Sequence, residues 1–129
     1  MTQATAQRMA EDALKEWGLW AKGWRFAWMG IKRKWGRCHH VCKLVMLSRH
    51  FVGQANEGMV HIIILHEIAH ALAGPTAHHG RAWIAKCAIV GIKPRKRYYG
   101  PSYGYLSMCE LQAIAHPQGG EAAAKGDMR

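Results

Sequence analysis

The chain has 129 residues, half of them hydrophobic, and 18 lysines and arginines against 8 aspartates and glutamates give it a formal charge of +10. That length supports one domain with a real core and is short for two, and no apolar stretch approaches the roughly 20 residues a membrane span requires. Such an excess of positive charge favours polyanionic partners, nucleic acid first among them.

Residues 5–17 carry apolar side chains at helical spacing, with Met9, Leu14 and Trp17 on one side and Glu11, Asp12, Lys15 and Glu16 elsewhere. Gly18 is a natural stop. The segment Trp24, Arg25, Phe26, Ala27, Trp28 alternates at the strand period, and residues 41–47 form a second β-compatible run. Between them, residues 30–37 read as a basic hairpin tip. Asn56 is a good N-cap for a helix over residues 57–73, which Gly74 and Pro75 end, because proline lacks the helical donor and glycine tolerates a left-handed cap. A further helix is expected from Arg81 to Gly91, with Trp83, Cys87 and Val90 facing inward. Beyond Pro94 the chain is basic and rich in tyrosine. The domain is expected to fill residues 1–116, leaving 117–129 as a disordered tail of Gly, Ala and Lys character. Residues 1–8 lack the apolar run of a secretory signal, so a soluble, cytoplasmic protein is expected, with Cys38, Cys42, Cys87 and Cys109 as thiols; separately, a monomer is expected.

The helix over 57–73 holds the chemistry. His66 and His70 are one turn apart, about 40° around the axis, so two imidazoles can converge on one ion, with Glu67 beside the first. This is the HExxH arrangement of zinc peptidases, expected by chance roughly 0.03 times in a chain of this composition. Met59, Val60, Ile62, Ile63, Ile64, Leu65, Ile68 and Leu72 make the helix apolar nearly all round and hence buried. Burying two histidines and a glutamate there costs several kcal/mol unless something compensates, and a dication would. A catalytic zinc needs a third protein ligand and an open position. His78 and His79 lie just downstream, and Glu110 is a weaker candidate. The HExxHxxGxxH pattern is not met, since Ala73 and Thr76 occupy the positions of its glycine and third histidine.

Trp24, Phe26 and Trp28, then Gly36-Arg37-Cys38, Leu47-Ser48-Arg49, Leu65 to Leu72, and His79-Gly80 with Trp83 together resemble the SprT-like zinc metalloproteases, the group that includes a DNA-dependent protease of DNA–protein crosslink repair. The resemblance covers residues 14–92. It implies an α+β, zincin-like fold with an N-terminal helix, a small antiparallel sheet, the HExxH helix and a following helix. It also implies one zinc per chain held by His66, His70 and His79, with Glu67 as general base in peptide hydrolysis, and it favours His79 over His78 because the ligand precedes the glycine. Many members add a C-terminal zinc ribbon. Here Cys87 and Cys109 belong to no CxxC pair, which suggests a minimal catalytic unit like the compact versions of bacteria and phages.

Two basic clusters surround aromatics: Lys32, Arg33, Lys34 and Arg37 with Trp35, and Lys93, Arg95, Lys96 and Arg97 before Tyr98 and Tyr99. Cations interleaved with rings suit single-stranded nucleic acid, and solvated loops with inward-turned rings are the bland alternative. The resemblance favours DNA, and with it proteins bound or crosslinked to DNA as substrates. A nucleic-acid-binding module with a structural zinc is the rival reading. Tyr98, Tyr99 and Tyr103 could stabilise an oxyanion or simply pack. Cys38, His39, His40 and Cys42 lack the partners of a second zinc site and read better as strand and hairpin. Trp17, Trp20, Trp24 and Trp28 are read as core.

Overall fold

A computed structural model describes residues 1–94. Its elements run α1 (Gln3–Glu16), a short 3-10 turn (Trp20–Lys22), β1 (Arg25–Met29), β2 (Gly36–His39), β3 (Leu44–Ser48), α2 (Arg49–Gln54), α3 (Glu57–Ala73) and α4 (Arg81–Val90). Helix α3 is the axis of the molecule, touching α1, β2, β3 and α4.

Local chemistry sets the helix ends. The Thr2 hydroxyl accepts from the Thr5 amide and starts α1, and the Asn56 side-chain Oδ1 accepts from the Met59 amide at 2.9 Å and starts α3, each satisfying a donor that has no partner inside its helix. Helix α3 ends at Gly74, whose φ of 99° and ψ of 163° lie in a region essentially reserved for glycine. Small residues Ala6, Ala10 and Ala13, with Leu14, are the buried stripe of α1, which lets its backbone approach α3 closely. From Met59 to Ala69, α3 is buried at every position except His61, as its all-round apolar sequence requires. Trp83, Cys87 and Val90 form the inner face of α4, as expected.

The sheet corrects one expectation. It is mixed rather than antiparallel, with strand order β1-β3-β2. Strand β1 pairs parallel with β3, from Arg25 opposite Leu44 to Met29 opposite Ser48. Strand β2 pairs antiparallel with β3, from Gly36 opposite Leu47 to His39 opposite Leu44. The centre goes to the strand with the most apolar surface to bury, whose Val45 and Leu47 are fully enclosed. Residues 30–37 are therefore not a hairpin tip. They carry the chain from β1 across to the far edge and begin β2, and the actual hairpin is the β2–β3 turn over residues 40–43.

Helix α2 had no counterpart in the sequence reading, because six residues show less than two turns of periodicity. Ser48 supports it: fully buried at the end of β3, its Oγ accepts from the amides of His50 and Phe51. Trp24 is buried, and Trp17, Trp20 and Trp28 pack partly buried against the core. Cys38, Cys42 and Cys87 are free thiols, and Cys109 lies outside the described residues. Among the described residues, no helix is long and apolar enough to cross a membrane.

Candidate metal centre

His66 and His70 project from the last two turns of α3, and His79 comes from the turn between Gly74 and α4. Their ring nitrogens offer three ligand atoms within 4.8 Å of one another, the one such group of histidine, cysteine or acidic side chains among the described residues. Within the group, His70 Nε2 lies 3.1 Å from His79 Nε2. Two imidazole nitrogens bound to a tetrahedral zinc at about 2.0–2.1 Å would be about 3.3 Å apart, so this pair already stands near one edge of such a tetrahedron. His78, with its left-handed φ of 48°, lines the cleft beside the group without joining it.

The environment keeps the imidazoles of His66 and His70 neutral, as metal ligands must be. Burial above all, then the neighbouring His70 and His79, hold His66 well below the ordinary histidine range. Burial and then His79, His40 and His78 push His70 down to about 4. Beneath all three rings lies Trp83, only 1 % exposed. Its ring centroid is 4.6 Å from that of His79, 5.1 Å from His66 and 5.3 Å from His70, on which it stacks. This aromatic floor fixes where the imidazoles can sit.

Glu67 is 2 % exposed, and its Oε2 is buried with no hydrogen-bond partner among the described residues. Burial raises its carboxyl to about 8, while Lys34 pulls in the opposite direction. A dication at the three histidines would reinforce that pull and compensate the buried charge, so the donor set and the lone carboxylate oxygen both fit a metal ion. All-imidazole ligation suits a borderline ion such as zinc.

Two supporting contacts escape the sequence. The first is His40, whose Nε2 lies 3.0 Å from the His70 carbonyl oxygen. A carbonyl only accepts, so this nitrogen carries the proton, and the hairpin turn is thereby tied to the residue that bears the second imidazole. His40 also meets Trp24 edge-on and sits 3.8 Å from Cys38 Sγ. The second is Gly36. A Cβ built there would lie 2.8 Å from Ile63 Cγ2, 3.0 Å from Glu67 Oε2 and 3.2 Å from Glu67 Cγ. Only a residue without a side chain lets β2 lie this close to the carboxylate.

The basic stretch divides. Lys32 and Trp35 line a cavity of about 300 Å³ with His50, Phe51 and Gln54, and Trp35 is half-buried and stacked on Phe51 at 4.8 Å. Lys34 and Arg37 instead line a cleft of about 270 Å³ with Glu67, His70, His78 and His79. Arg33 is exposed, as is Lys93. Arg95, Lys96, Arg97, Tyr98, Tyr99, Tyr103 and Glu110 lie outside the described residues.

The molecule is thus a mixed α+β protein whose central helix, joined by a short turn to the next, gathers three histidines that could hold a metal ion. It belongs to the SprT-like family, whose sequence model matches residues 6–98, and that membership suggests a metalloprotease-like domain. No curated protein and no solved structure matches the chain.

Proposed function

We propose that the protein is a zinc-dependent endopeptidase acting on proteins bound to or crosslinked with DNA, with residues 1–116 as one catalytic domain binding one zinc. The observation that carries this reading is the buried carboxylate of Glu67, set beside a three-histidine group in an open cleft. A purely structural metal site has no use for such a base.

His66, His70 and His79 would hold the metal, each through one ring nitrogen. When bound, zinc supplies Lewis-acid chemistry, polarising a peptide carbonyl and acidifying water. Glu67 takes a proton from the attacking water on a carboxylate oxygen and delivers it to the leaving amine nitrogen. Gly36 lets that oxygen stay where it is, Trp83 holds the imidazole planes, and His40 anchors the backbone of His70. Exposed Lys32 and Arg33, with Lys93, Arg95, Lys96 and Arg97, would contact the phosphates of single-stranded DNA, and Trp35 would lie at the edge of that surface.

The test is cleavage of a DNA-binding protein by the zinc-loaded full chain, with and without single-stranded DNA, before and after chelation. Cleavage that rises with DNA and stops with chelation supports both halves of the proposal. Cleavage indifferent to DNA removes the nucleic-acid half. Zinc and DNA binding without cleavage of any protein offered would favour the binding-module reading.

The same assay reads the role of Gly36. Gly36→Ala is expected to lower kcat about tenfold with zinc content unchanged, because the new methyl meets Ile63 Cγ2 at 2.8 Å and Glu67 Oε2 at 3.0 Å and must shift both by a few tenths of an ångström, well short of the roughly 1 Å misplacement that costs about 100-fold. Metal analysis on the same preparation checks that the centre itself survives.

A further inference from the structure

The division of the basic stretch between two cavities has a consequence for substrate choice. We propose that Lys34 and Arg37 form a cationic rim on the cleft that selects acidic side chains in the protein substrate, close to the scissile bond. This rests on the endopeptidase reading above and names the substrate chemistry of that same cleft.

The rim is defined by what it faces. Lys34 and Arg37 line the cleft together with Glu67, His70, His78 and His79, and Lys34 is close enough for its charge to act on the Glu67 carboxyl. Glu67 is the one carboxylate in that lining, is buried, and is committed to proton transfer. Among the described residues, neither Lys34 nor Arg37 forms an ion pair. Among the described residues, a peptide entering the cleft therefore meets two exposed cations, Arg37 facing no carboxylate partner and Lys34 balanced only in part by the buried Glu67. Substrate lysine or arginine beside the reacting bond would face like charge at short range, whereas aspartate or glutamate would complete the pairing, and such repulsion is an effective way to discriminate. Arginine can clamp a carboxylate through two parallel hydrogen bonds, and lysine adds a point charge.

Nucleic acid is the competing occupant, since phosphates also seek cations. The position of the two residues decides between them. A phosphodiester backbone laid across Lys34 and Arg37 would fill the space in front of Glu67 where the scissile peptide has to lie. Lys32, directed to the separate cavity with Trp35 and His50, is free of that conflict.

The experiment uses the zinc-loaded full chain and a set of quenched-fluorescence peptides of one framework, with Glu, Gln or Lys substituted position by position and cut sites read by mass spectrometry. Ratios of kcat/KM between peptides are compared, because changing Lys34 also acts on Glu67 and so alters all rates together. At one or more positions flanking the cut, wild type is expected to prefer Glu over Lys by about tenfold, the size of effect a partly shielded charge pair supplies. Lys34→Glu and Arg37→Glu are expected to erase or invert that ratio, and Lys32→Glu to leave it intact. Equal cleavage of the Glu and Lys peptides, or a ratio untouched by both rim reversals, overturns the proposal.

Binding of the labelled peptides to Glu67→Gln, followed by fluorescence anisotropy, separates failure of the rim from failure of the chemistry. Acidic preference in binding with no turnover by wild type would refute the endopeptidase reading and keep the rim, whereas indifferent binding would refute the rim whatever the turnover. If the rim reversals weaken binding of a single-stranded oligonucleotide and leave peptide selection unchanged, the cations serve nucleic acid and the proposal fails.

Discussion

His79→Ala is expected to weaken zinc binding by about 100- to 1,000-fold while His78→Ala leaves it near wild type. The scale follows from dividing the roughly 10–16 kcal/mol of a four-ligand zinc site among its ligands. The asymmetry follows from geometry: His79 Nε2 stands 3.1 Å from His70 Nε2, and its ring packs against Trp83 at 4.6 Å, whereas His78 is exposed at the cleft wall. Competition against a chromophoric chelator measures both variants. Loss of zinc from His78→Ala with retention by His79→Ala would transfer the third ligand to His78 and require the 75–80 turn to rearrange on binding. Because a ligand that binds only the folded state stabilises it, the thermal shift produced by added zinc should also shrink in His79→Ala.

Glu67→Gln is expected to reduce kcat by about 100- to 10,000-fold with the zinc content unchanged and KM little altered. General acid–base catalysis contributes that range, and glutamine keeps the shape of glutamate without its capacity to hold the transferred proton. Glutamine is also neutral, so at a site 2 % exposed, where burial already raises the carboxyl to about 8, it fits without the cost of a buried charge. The metal-free variant should therefore melt no lower than metal-free wild type. A large fall in melting temperature alongside the lost activity would instead mark Glu67 as a structural group.

Features fixed within one or two turns of chain were legible from the residues alone. Asn56 and Gly74 bound α3 because cap chemistry is local, and the four-residue spacing of His66 and His70 places both on one face wherever the helix lies. The arrival of His79 beside them was suggested by family resemblance, and the structure brings the three together. Strand order was not legible, because nothing in β1 states that its neighbour is the third strand rather than the second, and pairing is settled by competition among segments of four or five residues. For the same reason residues 30–37 looked like one charged surface, although the crossing from β1 to β2 aims Lys32 at one cavity and Lys34 at another. The close fit of Gly36 on Glu67 joins residues 31 positions apart, and no pattern along the chain announces it.

Trp83 gives the protein a built-in optical probe. Its indole is sealed from solvent and in ring contact with all three histidines, so its emission is governed by the state of those imidazoles. A protonated imidazole quenches a touching indole, and zinc, with its filled d shell, neither absorbs visible light nor exchanges electrons. Acidification of the empty centre should thus dim this tryptophan, zinc should restore it, and cobalt, which absorbs, should darken it again. Because the chain carries five other tryptophans, the part of the emission change that is lost in Trp83→Phe is the part that reports occupancy of the centre.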